Sequence, residues 1–431
     1  IRDRLFSESI NTDEIQLSFF DVDQGVGSPL ELVIISATEI QLIFAFPFDA
    51  GIIYSMSING VSDCPGNILT NSNHEFGIPA QPNAFDVLIT EIFADPEPQV
   101  GLPTVEFLEI YNSSNQIYNL ENWLLRDATS ETELPNHLLT PNQYLILCDD
   151  DDIDQFLSFG NALGVSGFPT LNNSSDELSI SDQDDNLIHF VAYNDDWYQS
   201  NVKKLGGWSL EMIDTNNPCQ GSENWSASTD AQGGTPGQAN SIEESNPDDT
   251  NPDLLRILVN SSTEIELVFS EGLDINSAIV SDRFFISQGI GAPIQARVRF
   301  PFLNRIVLTL STALQPQTIY IIEVDNSVTD CVGNEIGIFD TLSFGLSETA
   351  EVGDVLINEI LSNPLSGGSD YIEIYNNSNK IIAIDELLVG RYDSEGILDD
   401  IEIISEERIQ LLPQGYLAIS ENIPFLIDNY Q

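Results

Sequence analysis

The chain has 431 residues, with 69 acidic against 13 basic side chains and a formal net charge of −56 at pH 7. A surface that negative repels phosphate backbones, so the sequence predicts no nucleic-acid partner. Hydrophobic residues make up 42%, enough for each of three or four domains of ordinary size to bury a core. The charge favours cations. It reads either as a solvated surface suited to a salty extracellular medium or as an attraction for a divalent ion such as Ca²⁺. No run of about 18 uncharged apolar residues occurs, so no membrane span is expected in this fragment. The chain opens at Ile1 without Met or a leader, and is read as part of a longer, exported chain.

Residues 1–82 read as β. Val33, Ile35, Ile40, Leu42 and Phe44 are apolar on alternating stretches, and Tyr54, Met56 and Ile58 alternate with Ser. SDCPGN at 62–67 carries turn chemistry. From Asp86 the chain spells DVLITEI, a Pro/Gly loop, then EFLEIYNSSN: strand, loop, strand, Asn-rich turn. Further strands are expected at Trp123–Arg126, Tyr144–Cys148, Glu177–Ser181, Ile188–Tyr193 and Ser209–Met212. Short strands with frequent turn signals point to a β-sandwich. The segment SIEESNPDDTNP at 241–252, charged and Pro-bearing, is the clearest linker.

The chain then repeats itself. DVLINEI…DYIEIYNNSN at 354–379 restates 86–115, and TDCVGN at 329–334 restates SDCPGN. Both markers recur at the same distance to within one residue, so the repeat unit holds two domains. PNQY at 141–144 returns as PQGY at 413–416. The expected division is 1–82 (N-terminally incomplete), 83–240, the linker 241–252, 253–347, and 348–431 (C-terminally incomplete).

LITEI…EFLEIYN (88–111), NWLLRD (122–127), PNQYLILC (141–148) and LNNSSDELSISDQDDNLIHFVAY (171–193) resemble the lamin-tail domain in its bacterial form. LINEI…DYIEIYN (356–376) and PQGYLAIS (413–420) carry the second copy. VFSEGLD (268–274) and VTDCVGNEI (328–336) resemble bacterial Ig-like domains of the surface-layer type. The combination, with GGWSLEMIDTNNPC and STDAQGGTPGQANS, is similar to large exported proteins of Bacteroidetes-type bacteria. These resemblances imply an all-β fold of tandem immunoglobulin-like sandwiches in an extended array. They imply no chemistry.

Candidate sites follow from residue types. Four consecutive carboxylates close CDDDDID at 148–154. Asp149, Asp150 and Asp152 are the candidate Ca²⁺ ligands, since Ca²⁺ takes six to eight oxygens. The competing reading is a solvated loop, because neighbouring strand residues point to opposite faces. DQDDN at 182–186 starts like a calcium loop but lacks the later Gly and Glu, so a hairpin turn is expected there. Glu91 and Glu109, repeated as Glu359 and Glu373, are paired carboxylates on adjacent strands. Such pairs can do acid–base work, but their recurrence argues for a structural or interface role. His74, His137 and His189 have no ligand spacing. Trp197, Tyr198, Trp208 and Trp225 can stack on a sugar or pack a core. No catalytic residue and no cofactor-binding residue is assigned.

The four cysteines Cys64, Cys148, Cys219 and Cys331 form no CxxC and allow three pairings. Cys148 and Cys219 share the first lamin-tail copy, and the second copy has Ser420 in place of Cys148. On that resemblance the expected disulfide is Cys148–Cys219, with Cys64 and Cys331 left either free or bonded elsewhere. The functional expectation is a non-enzymatic, exported structural or adhesive segment at the bacterial surface, meeting other surface proteins or glycans. The alternative is an accessory substrate- or wall-binding region of a larger secreted hydrolase or nuclease.

Overall fold

A computed structural model describes residues 6–337, 340–364, 368–393, 395–406, 408–423 and 426. Residues 1–5 and 427–431, the outer ends of the first and last expected domains, lie outside the described residues. The chain divides into two compact units: 1–215 with 221–245, and 216–220 with 246–431. Both are almost wholly β, as the alternating apolar pattern predicts.

The first unit begins with β1 (Phe20–Val22), β2 (Glu31–Ile34), β3 (Ile40–Ile43), β4 (Ile53–Ile58) and β5 (Ser72–Gly77). β1, β4 and β5 form one sheet, and β2 and β3 a hairpin. Phe20, Val22, Ile40, Tyr54, Met56 and Ile58 share a small core. Next come β6 (Val87–Phe93), β7 (Phe107–Asn112), β8 (Tyr118–Asn119), β9 (Leu124–Arg126), β10 (Glu131–Glu133) and β11 (Leu138–Leu139). They are followed by β12 (Tyr144–Asp149), β13 (Ala162–Val165), β14 (Ser175–Ser181), β15 (Leu187–Asn194), β16 (Leu210–Met212) and β17 (Trp225–Ala227). A six-stranded sheet runs β13-β12-β7-β6-β16-β17, and a four-stranded sheet runs β10-β9-β14-β15. Leu88, Leu108, Leu145 and Leu210 of the first meet Leu125, Leu178, Ile180 and Val191 of the second in one core. Trp225 is sealed within it, at 1% exposure. Trp197 and Trp208 pack against that core from its edge, and Lys203 Nζ lies 4.4 Å from the Trp208 ring centroid. The aromatic cluster is thus packing, not an open stacking platform.

The second unit opens with β18 (Leu254–Ser261), β19 (Glu264–Phe269), β20 (Phe284–Ile286), β21 (Gln295–Arg299), β22 (Phe302–Thr309), β23 (Tyr320–Val324) and β24 (Thr341–Phe344). Two sheets form, β18-β19-β22-β21 and β20-β23-β24. β25 (Val355–Leu361) then pairs with β26 (Tyr371–Asn376), which pairs in turn with Tyr416–Ile419.

The repeated motifs are repeated hydrogen-bond devices. In YNSSN the buried Asn112 donates from Nδ2 to the carbonyls of Gln116 (2.8 Å) and Leu139 (3.3 Å), while its Oδ1 accepts from Ser114 N and Oγ. Asn376 repeats this with Lys380, Leu411 and Ser378. A buried amide with every group satisfied orders a turn that otherwise has no ladder to join. In the two DC-x-G-N turns, Asp63 accepts from Asn67 N and Nδ2, both at 2.6 Å, and Asp330 accepts from Asn334 N and Nδ2 at 2.9 and 2.8 Å. Gly66 and Gly333 sit at φ +97° and +101°, a region that disfavours a β-carbon. The D-x-D start at 182–186 is a hairpin turn between β14 and β15: Asp182 Oδ1 accepts from Asp184 N and Asn186 N.

The expected Cys148–Cys219 disulfide is not formed. Cys219 is bonded to Cys331, with Cα atoms 6.4 Å apart. Cys148 is free and fully buried among Phe93, Phe107, Ile146 and Phe156 on the outer face of the six-stranded sheet. Residues 216–220 fold with the second unit, where Cys219 meets Cys331. Burial in that apolar cluster pushes the Cys148 thiol up to about 12, so it stays protonated and unreactive. Cys64 is free and exposed.

Candidate functional site

Three glutamates lie in register across three neighbouring strands: Glu211 on β16 opposite Glu91 on β6, and Glu91 opposite Glu109 on β7. A register shift between Ile89 and Glu91 places them on the outer face, where Phe93, Phe107 and Ile146 also point. All three glutamates are 0% exposed. The stretch 228–241 of the first unit covers them. Thr235 N donates to Glu91 Oε1 (2.8 Å), Gly237 N to Glu109 Oε2 (2.6 Å), Thr235 Oγ1 to Glu211 Oε1 (2.9 Å) and Ser241 Oγ to Glu211 Oε2 (2.7 Å). Ser209 Oγ and Thr90 Oγ1 donate to Glu91 and Glu109 from within the sheet. Asn240 Nδ2 ties the covering loop to the carbonyls of Thr90 and Met212. The GGTPGQAN motif is therefore a lid over a carboxylate row. A β-carbon on Gly234 would stand 2.5 Å from Glu91 Oε1 and 2.7 Å from Ser209 Oγ, so only glycine lets the loop come this close.

Burial, then the charge of Glu211, raises the Glu91 carboxyl to about 8. Burial and the charge of Glu91 raise Glu109 well above its ordinary range. Glu91 Oε2 has no hydrogen-bond partner among the described residues. Glu91 thus holds a proton near neutrality, yet the row is closed over by its own loop. Raised carboxyl values in an open cleft suggest acid–base chemistry; here one oxygen of Glu91, one of Glu109 and both of Glu211 accept from the covering loop. In the repeat, Glu359 and Glu373 again stand opposite one another. They take donors from Tyr371 and Asn358 at 2.6 Å each, and Glu359 is exposed.

His189 is another structural residue: it is 0% exposed, and its Nδ1 accepts from Ile89 N at 3.0 Å.

The acidic strand end divides. Oxygens of Asp149, Asp150 and Asp151 come within 4.8 Å of one another, with Asp150 and Asp151 exposed. Asp149 Oδ1 accepts from Asp151 N (3.0 Å), and Asp152 Oδ1 instead accepts from Gln155 Nε2 (2.8 Å). Asp152 therefore does not join the cluster, and Asp151 does.

A second acidic cluster was not legible as a motif. Asp248, Glu271 and Asp330 bring carboxylate oxygens within 4.8 Å of one another, although they come from the expected linker, from the end of VFSE and from the DCVGN turn. Asp248 and Asp330 are 7% and 1% exposed. Burial, then Asp248, raises Glu271 to about 8. Ser241 is hydrogen-bonded to Glu211 in the first unit, and Asp248 is buried in the second.

Residues 80–195 match the Lamin Tail Domain family, and residues 238–345 match a bacterial Ig-like domain family. No curated protein matches the chain. Among solved structures, the N-terminal part of the bacterial S-layer protein SbsC is 13% identical, covering 40% of this chain and 44% of that one, with a TM-score of 0.21. A DUF4876 family protein from Bacteroides thetaiotaomicron is 11% identical, covering 45% and 82%, with a TM-score of 0.22. This chain thus spans less than half of the SbsC structure. The two domain matches carry the comparison. In sequence a lamin-tail match precedes a bacterial Ig-like one, and among the described residues no helix is long and apolar enough to cross a membrane.

Proposed function

We propose that this region is a non-enzymatic structural segment of an exported bacterial surface protein, spacing or presenting neighbouring domains. In that reading the chain comprises an Ig-like segment (1–82), a lamin-tail segment (83–240), a joint (241–252), a second Ig-like segment (253–347) and a second lamin-tail segment (348–431). The observation that carries it is the closed lid on the Glu211–Glu91–Glu109 row. The residues with the strongest chemical potential in the chain are spent on folding, hydrogen-bonded to Thr235, Gly237 and Ser241. The domain matches support the same reading, as does a net charge of −56, which keeps like surfaces apart. Antibody raised against this chain is expected to label intact, unpermeabilised cells of the source bacterium. Labelling that appears only after permeabilisation contradicts surface placement.

A further inference from the structure

We propose that Asp248, Glu271 and Asp330 form a site for a hard divalent cation of the Ca²⁺ type, which clamps the segment before β18 onto the Ig-like sandwich. This goes beyond the structural reading above and does not depend on it. Three carboxylates, two of them more than nine-tenths buried, converge within 4.8 Å. That is about the span open to two oxygens bound to one Ca²⁺ at 2.3–2.6 Å each. The convergence alone decides nothing, since acidic clusters are common on a chain this charged. The deciding observation is that the buried Asp248 Oδ2 has no hydrogen-bond partner among the described residues, and neither does Glu271 Oε2. Buried carboxylate oxygens without donors are costly.

The remaining oxygens are already held. Asp330 Oδ1 accepts from the backbone N–H groups of Val332, Gly333 and Asn334, and Oδ2 from Asn334 Nδ2. Asp248 Oδ1 accepts from Thr250 N and Oγ1. The cradle thus leaves two oxygens, one on each of two residues of the cluster, without donors. The charged groups acting on Glu271 are Asp248, Asp330 and Asp253, all acidic, and the Glu271 and Asp248 carboxyls stand within side-chain hydrogen-bond reach, so that a shared proton holds them together when no cation is bound. A cation balances that charge and satisfies both orphan oxygens at once.

The cradle also spans separate parts of the chain. Asn334 Nδ2 donates to the Asp248 carbonyl (2.9 Å), Gly337 N to the Pro252 carbonyl (2.8 Å), and Asp253 N to Ser270 Oγ (2.9 Å). A cation would add ionic cross-links to this lacing, fixing residues 246–252 to the SEG and DCVGN turns. The equivalent turn of the first copy, around Asp63, keeps the Asp–Asn lock. Its Glu8, which corresponds to Glu271, is exposed.

The test is thermal unfolding of the whole chain with CaCl₂ against chelator at fixed ionic strength, repeated with MgCl₂. Wild type is expected to gain about 5–10 °C in the transition of the second unit at a hundredfold excess over Kd. Glu271→Gln and Asp248→Asn, each nearly isosteric, are expected to fold and to lose that gain. Asp150→Asn is expected to keep it, which separates the buried site from the exposed one. Either buried-site variant suffices if the other fails to fold. No rise in wild type overturns the proposal. So does a rise that survives in a folded Glu271→Gln or Asp248→Asn variant, or one that Asp150→Asn abolishes.

Discussion

Replacing Glu91 with Gln is expected to stabilise the first unit by about 2–3 kcal/mol at pH 7. The result is counterintuitive for a fully buried residue with two strong hydrogen bonds, and the reason lies in the row. Glu91 stands between Glu211 and Glu109, and burial with the charge of Glu211 raises it from 4.5 to about 8. A folded-state value above the unfolded one means that folding takes up a proton. The stabilisation is complete below about pH 4.5, where both states are protonated. It falls by about 1.4 kcal/mol per pH unit as the unfolded chain ionises and the folded one does not. It is spent once pH passes about 8. Glutamine keeps the carbonyl oxygen that accepts from Ser209 and Thr235. Chemical denaturation between pH 5 and 9 should therefore show a steeper loss of stability in wild type than in Glu91→Gln. Equal slopes, or a variant destabilised at pH 7, would show that Glu91 is ionised in the folded state.

Reduction of the Cys219–Cys331 disulfide is expected to destabilise the second unit by about 4–5 kcal/mol. The bond joins residues 112 apart in sequence, and cross-linking a loop of that length removes much of the freedom of the unfolded chain. The urea midpoint of the second unit should drop on reduction and in Cys219→Ser and Cys331→Ser alike, with no further drop when reductant meets those variants. Cys148→Ser should retain the full reductant effect. If Cys148→Ser abolishes it, the pairing assigned here is wrong.

The two outcomes illustrate what a sequence of this kind discloses. Short apolar words bounded by turn signals mark Val87–Phe93, Tyr144–Cys148 and Glu177–Ser181 as strands, and the observed elements match them to within two residues. The hairpin turn at Asp182 and the repeat of the Asn112 and Asn376 turns are likewise local, so they can be read from short words. The parallel pairing of β12 with β13 is not local, and Ala162–Val165 has too little alternation to announce a strand. The cysteine pairing fails for a related reason. Cys219 lies inside the expected lamin-tail segment 83–240 in sequence, but residues 216–220 fold with the second unit. The lid over the glutamates uses backbone N–H groups of Thr235 and Gly237, which no residue type advertises. Its traceable signal was the density of glycine in GGTPG, where Gly234 leaves no space for a β-carbon. Asp248 looked like one acid among many in a polar joint. Only burial separates it from the neighbouring Asp249, which is exposed.

As a spacer, this region works by structure and position. The most direct measurement deletes residues 80–345 from the natural protein that carries them and tags the end distal to the cell. Whole-antibody and Fab labelling of the tag on intact cells are then compared, and any catalytic activity of the parent is assayed on a soluble substrate. A spacer predicts that whole-antibody labelling drops sharply, Fab labelling persists and activity is unchanged. Unchanged whole-antibody labelling, together with loss of substrate binding or turnover, would contradict the account and favour an accessory region of a secreted enzyme.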